Sequence, residues 1–205
     1  MSQDDGFCTD LMRGDDAQTG FTCGVRALDD YFARHAWPNM TRGLGRTWVY
    51  RGDVEAGDPP ILAFYTLSMA AADTPELRAH LGGRLPRYPV PVALLGRLGV
   101  HVQGRGRGTG LKVIRDAFRR IHAAAAQVGC AGVLVDAKDA GAAAWYGRLG
   151  FVDLGSADWP RPCSSHRATS PPSLAPEPLT HAWSPWWSRS RRRGCLRGAR
   201  RLRTA

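Results

Sequence analysis

Apolar positions recur along this chain with two different periods, and the alternation between them sets out a mixed architecture. In Cys23–Asn39, Val25, Leu28, Tyr31, Phe32 and His35 fall on one face, which predicts an amphipathic helix ended by Pro38. Arg46–Arg51 alternates as a strand, and "DVEAGDPP" reads as a turn leading to a long buried strand over Ile61–Ala70. Thr74 and Pro75 open a short helix that Gly82 and Gly83 break. Val90–Val100 is a nearly continuous apolar run, the pattern of a buried strand. Helical spacing returns after it: Ile114, Ala117, Phe118, Ile121, Ala125 and Val128 form one stripe. Lys112, Arg115, Asp116, Arg119 and Arg120 cover much of the opposite face, and Gly129 stands where a C-cap belongs. A strand over Cys130–Ala137 and a helix over Ala140–Gly150 complete the pattern. Strands and helices in this order imply an α/β domain around a mixed sheet.

The junction between the Val90–Val100 strand and the helix after it carries the strongest chemical signal. Four glycines lie between Gly104 and Gly110. Glycine at that density weakens any regular element, so a loop of special shape is expected. At the start of a helix the first amides lack internal partners and the dipole favours an anion. A phosphate-binding loop is therefore expected. It is neither of two familiar kinds: Leu111 stands where a P-loop begun at Gly106, or a dinucleotide fingerprint begun there, requires glycine. What remains is Arg105-Gly106-Arg107-Gly108-Thr109-Gly110, or R-x-x-G-x-G.

This loop resembles the pyrophosphate-binding loop of the GNAT superfamily of N-acetyltransferases. The likeness is closest to the acetylating toxins of type II toxin–antitoxin pairs, through "FTCGVRALDDYF", "RTWVY", "PVPVALLGRLGV" and "AAWYGRLGF", over roughly residues 20–153. The resemblance implies a mostly antiparallel central sheet flanked by helices and acetyl-CoA as co-substrate. It implies that Leu98, Gly99 and Val100 pair their backbone with the pantetheine arm. Arg105, Gly106, Arg107, Gly108, Thr109 and Gly110 would surround the pyrophosphate with amide hydrogens. By the same resemblance Tyr146 protonates the departing thiolate. Arg97 is the family's arginine before the strand bulge, as suited to an ion pair as to substrate contact. The implied substrate is an aminoacyl-tRNA, and the implied partner a cognate antitoxin, with a homodimer left open. Competing readings are an acetyltransferase of a small amine or protein, and a nucleic-acid-binding module that uses its Arg-Gly loop and basic tail.

Composition changes this picture mainly at the end of the chain. Of the 28 basic and 18 acidic residues, ten and two respectively lie in residues 156–205, leaving +2 for the rest. Residues 1–30 are acidic and residues 31–155 carry +7, a surface suited to a polyanion or a cofactor's phosphates. The Pro, Ser, Arg and Trp composition of residues 156–205 predicts a disordered tail without function, closer to out-of-frame translation than to a module. Because "VDLGSADWPRP" supplies at most a stub, the last strand is expected to be missing or altered. One domain over 1–155 and a tail over 156–205 follow. The five cysteines show no metal-site spacing, so reduced thiols, no bound metal and a cytoplasmic setting without membrane segments are expected. No general base stands out. Asp136 and Asp139 suit caps, and His35, His101 and His122 suit structural or exposed roles.

Overall fold

The computed structural model describes residues 7–72 and 88–154, and the backbone of 166–170. Seven strands form one sheet: β1 (Asp10–Leu11), β2 (Arg46–Arg51), β3 (Ile61–Ala72), β4 (Val90–Val100), β5 (Val133–Ala137), β6 (Val152–Asp153) and β7 (His166–Ser170). Their spatial order is β1-β2-β3-β4-β5-β7-β6. Neighbours run antiparallel except for β4 and β5, which are parallel. A parallel pair needs a crossover, and helix α3 (Thr109–Val128) supplies it. Helices α1 (Arg26–Arg34) and α2 (Ala36–Thr41) precede β2, and α4 (Ala140–Arg148) joins β5 to β6.

Both faces of the sheet are covered, which explains why β3 is buried at every position from Ile61 to Thr66 instead of alternating. On one side Tyr65, Leu95, Val133 and Val135 pack against Val113, Ile114, Ala117 and Ile121 of α3, and against Tyr146. On the other side Val49, Ile61 and Phe64 meet Phe21, Phe32, Ala36 and Met40. Each of the Val, Leu, Ile, Phe and Met side chains among them, fully buried, contributes on the order of 1.5–3 kcal/mol.

Three differences from the sequence reading have physical causes. Pro38 does not end a helix. It lies in the first turn of α2, where its missing N–H has no acceptor to lose, and the break falls instead at His35. The final strand is not missing: within the stretch read as tail, His166–Ser170 pairs with β5 from Val133 to Ala137 and with β6 on its other side. Main-chain pairing along a free strand edge leaves no alternating signature in the sequence, so the composition could not reveal it. Asp116 does not face solvent; it is only 7% exposed beneath α3. The short helix expected from Thr74, and the tail apart from β7, lie outside the described residues.

Candidate active site

A glycine bulge opens the groove in which the predicted site residues meet. Across β3 and β4, Thr66 lies opposite Arg97 and Leu67 opposite Leu95, so Gly96 is the extra residue of a β-bulge. Pairing of β4 with β5 covers only Ala93–Leu95, and it stops where the bulge begins. Beyond Gly96 the strand keeps its bonds to β3, while its other edge parts from β5. A cavity of about 410 Å³ occupies the split, lined by Leu95, Leu98, Asp136, Trp145 and Tyr146 among others. A second, of about 340 Å³, is lined by Leu98, Val100, Trp145 and the glycine loop except Arg107; of the predicted site residues, Gly99 and Arg107 line neither cavity. Leu98 and Trp145 border both, so one groove runs from Tyr146 along β4 to the loop.

The loop has the shape of an anion cradle. Gly106 and Gly108 have φ of +75° and +72°, in the left-handed region that other residues avoid. Gly108 is the N-cap of α3, and its carbonyl accepts from the N–H of Leu111 at 3.0 Å and of Lys112 at 3.1 Å. No side chain caps the helix start, so its first amides have no side-chain partner, and Gly108–Leu111 line the smaller cavity. A β-carbon on Gly106 or Gly108 would meet no atom within 4 Å. The space beside these residues is open.

The two arginines of the motif serve differently from the amides. The Arg105 guanidinium donates to the Cys23 carbonyl. Arg107 pairs with Asp58 at 2.8 Å. Their side chains brace the loop against two neighbouring segments and leave the backbone to face the groove. Gly99 likewise has a packing reason beside its place on the groove strand. A β-carbon there would come within 2.7 Å of the Phe64 ring on the far side of the sheet.

Tyr146 sits at the other end of the groove on α4, 7% exposed, edge-on to Trp145 and Phe151. Burial pushes its phenol well above the usual tyrosine range, so the proton stays on the oxygen. The helix that carries it is set by Asp139, whose carboxylate caps α4 through the Ala142 N–H at 2.7 Å. Lys138 beside it, with that cap, holds the Asp139 carboxyl below the ordinary range. Among the described residues Arg97 forms no ion pair, and it lines the larger cavity. Its guanidinium lies over the Tyr31 ring of α1, 4.3 Å from the centroid, at the border of the larger cavity.

His101 and Cys23 take structural roles, while Asp136 lines the larger cavity. The His101 Nδ1 accepts from the Gln103 N–H at 3.2 Å, and burial lowers its pKa. Burial pushes the Cys23 thiol up to about 11, with the Asp29 carboxylate adding to the effect, so it is protonated and unreactive. The polar cluster that the sequence did not announce is Thr9, Tyr65, Asp116 and Arg120. The Tyr65 hydroxyl donates to Asp116 at 2.5 Å, Thr9 donates to the same oxygen, and Arg120 donates to it at 3.0 Å. Asp116 and Arg120, four residues apart on a helix, read from sequence as an ordinary surface ion pair. Their partners come from more than fifty residues away, so no local signal marks them as buried.

No protein-family model matches the chain. Among curated proteins it is similar to a tRNA-acetylating toxin of Mycobacterium tuberculosis, 37% identical over 142 residues that cover 66% of this chain and 78% of the relative. The chain belongs to the GNAT family of tRNA-acetylating toxins. Two solved structures share the fold. One is the toxin AtaT complexed with acetyl-methionyl-tRNAfMet, with a TM-score of 0.68 at 20% identity, over 88% of this chain and 99% of that one. The other is a tyrosine-to-phenylalanine mutant of AtaT bound to the C-terminus of the antitoxin AtaR and acetyl-CoA. It has a TM-score of 0.66 at 20% identity, over 87% and 98% of the two chains. Among the described residues, no helix is long and apolar enough to cross a membrane.

Proposed function

We propose that the protein transfers the acetyl group of acetyl-CoA to the α-amino group of an aminoacyl-tRNA and so withdraws that tRNA from translation. The observation that carries this reading is the continuity of the groove: Leu98 and Trp145 join the anion cradle at one end to the buried phenol at the other. Acetyl-CoA supplies the activated acetyl group as a thioester. The amides of Gly106–Gly110 would hold its pyrophosphate at the start of α3, with the backbone of Leu98, Gly99 and Val100 alongside the pantetheine arm. The substrate amine attacks the thioester carbonyl carbon and loses a proton to water, the carbon–sulfur bond breaks, and the sulfur leaves as a thiolate. Tyr146 gives that sulfur its proton. Burial makes the phenol a weaker acid, but the same desolvation raises the basicity of a thiolate placed beside it, so the transfer stays matched.

A cognate antitoxin is the partner that family membership supports, and the cytoplasm, where charged tRNA is found, is the compartment. The alternative of an Arg-Gly nucleic-acid tract is weakened by the loop itself, since Arg105 and Arg107 are spent on Cys23 and Asp58. Incubation with labelled acetyl-CoA and charged tRNA tests the proposal: label should appear on the aminoacyl end. Label on small amines but never on charged tRNA would replace it with the small-amine reading.

A further inference from the structure

The cofactor cradle is the start of α3, so its place in the groove depends on what fixes α3 along and about its own axis. Most of the contact between α3 and the sheet is apolar, through Val113, Ile114, Ala117 and Ile121. Such packing is non-directional and permits small slides and rotations. The exception is Asp116, eight residues below the N-cap Gly108, or roughly 12 Å at 1.5 Å per residue. Its Oδ2 accepts from the Tyr65 hydroxyl at 2.5 Å, from Thr9, and from Arg120 at 3.0 Å. Tyr65 is fully buried, and on β3 it lies directly opposite Leu98 of β4, the residue that borders both cavities. Charge-assisted hydrogen bonds are short and directional, so this contact allows one register where the apolar surface allows several.

We infer that the Asp116–Tyr65 hydrogen bond is a positioning device for acetyl-CoA binding: it locks α3 to the strand opposite Leu98 and so sets the distance from the glycine cradle to the groove. The rest of the cluster supports that lock. Arg120 lies 3.4 Å over the Trp48 ring of β2 and donates to the Thr9 carbonyl at 3.1 Å, tying the segment before β1 to the same oxygen cluster. The segment before β1, β3 and α3 itself thus converge on one carboxylate, with β2 held beside it through Arg120. None of these residues borders the groove, so each acts through the helix and not by touching a substrate.

The inference rests on the acetyl-CoA reading of the groove, and the two fail differently. Calorimetric binding of CoA should be measured for the wild type and for the Tyr65→Phe, Asp116→Asn and Ile121→Val variants, with acetyl-transfer kinetics and melting temperatures alongside. Tyr65→Phe removes one hydroxyl and keeps the ring, so it is the variant that keeps the test open should Asp116→Asn not fold. Ile121→Val trims the same helix without touching the cluster, and controls for lost stability. We expect Tyr65→Phe to raise the CoA Kd and the acetyl-CoA KM by about threefold or more, with kcat at saturation little changed, as for a coupled pair. Ile121→Val should lower the melting temperature and leave both constants alone. An unchanged Kd in Tyr65→Phe, or an equal rise in Ile121→Val, overturns the positioning role. Absence of CoA binding by the wild type overturns the acetyl-CoA reading itself.

Discussion

Tyr146 is the residue on which the proposed chemistry turns, and its environment makes the prediction definite. Its pKa is raised by burial, so the neutral, proton-bearing form persists from acid pH up past the ordinary phenol value of about 10. The rate of acetyl transfer should therefore show no falling limb from this group between about pH 7 and 9. A falling limb in that range that disappears in Tyr146→Phe would contradict the raised pKa. Tyr146→Phe removes only the hydroxyl and should slow transfer by roughly 10²-fold at unchanged CoA affinity. Gly108 makes a second case. The space beside it is open, so a side chain is disfavoured by conformation and not by contact. Gly108→Ala should strain the loop by about 1–2 kcal/mol and weaken CoA binding by up to about tenfold, as read by calorimetry on the folded variant. Full affinity would show that the left-handed turn is not needed for the cradle. The motif residues were legible because R-x-x-G-x-G fixes backbone shape locally. The contacts of Arg97, Arg105 and Arg107 were not, because Tyr31, Cys23 and Asp58 come from distant segments.

Helices and strands with a strong period match the sequence closely. Val90–Val100 and the long helix ending at Val128 were readable because one-sided or two-sided burial imposes its own periodicity. The bulge at Gly96 was not readable, although it opens the groove, since a glycine within a strand marks bulges and tight packing alike. β7 was hidden for a different reason: a backbone added to the edge of β5 needs no particular side chains. Its role can be weighed by truncation. A chain ending after Leu154 lacks β7 and leaves the edge of β5 unpaired, so it should melt below the full chain; an equal melting temperature would mean that the strand adds nothing. α4 offers a finer test. Asp139→Ala deletes the bond to the Ala142 N–H and should lower stability, measured by denaturant unfolding.

Across the whole molecule, long-range polar contacts hold the layers in place where apolar packing alone would only hold them together. Asp116 shows the balance: burial alone would raise its pKa, yet the bonds from Thr9, Tyr65 and Arg120 outweigh burial and lower it. A carboxylate with a depressed folded pKa contributes stability that is present above its unfolded value of about 3.9 and is lost as pH falls below it. Acid unfolding should therefore be less steep in Asp116→Asn than in the wild type. The charge distribution, basic over residues 31–155 and acidic before them, suits a partner rich in phosphate. The central claim is that one groove carries acetyl from a CoA held at the start of α3 to the amino group of a charged tRNA. A single-turnover assay tests this most directly, using labelled acetyl-CoA, a pool of aminoacyl-tRNA, and the wild type beside Tyr146→Phe. Label is expected on the aminoacyl end with the wild type, and a rate roughly 10²-fold lower with the variant. Equal rates for the two proteins, or no label on any charged tRNA, would contradict it.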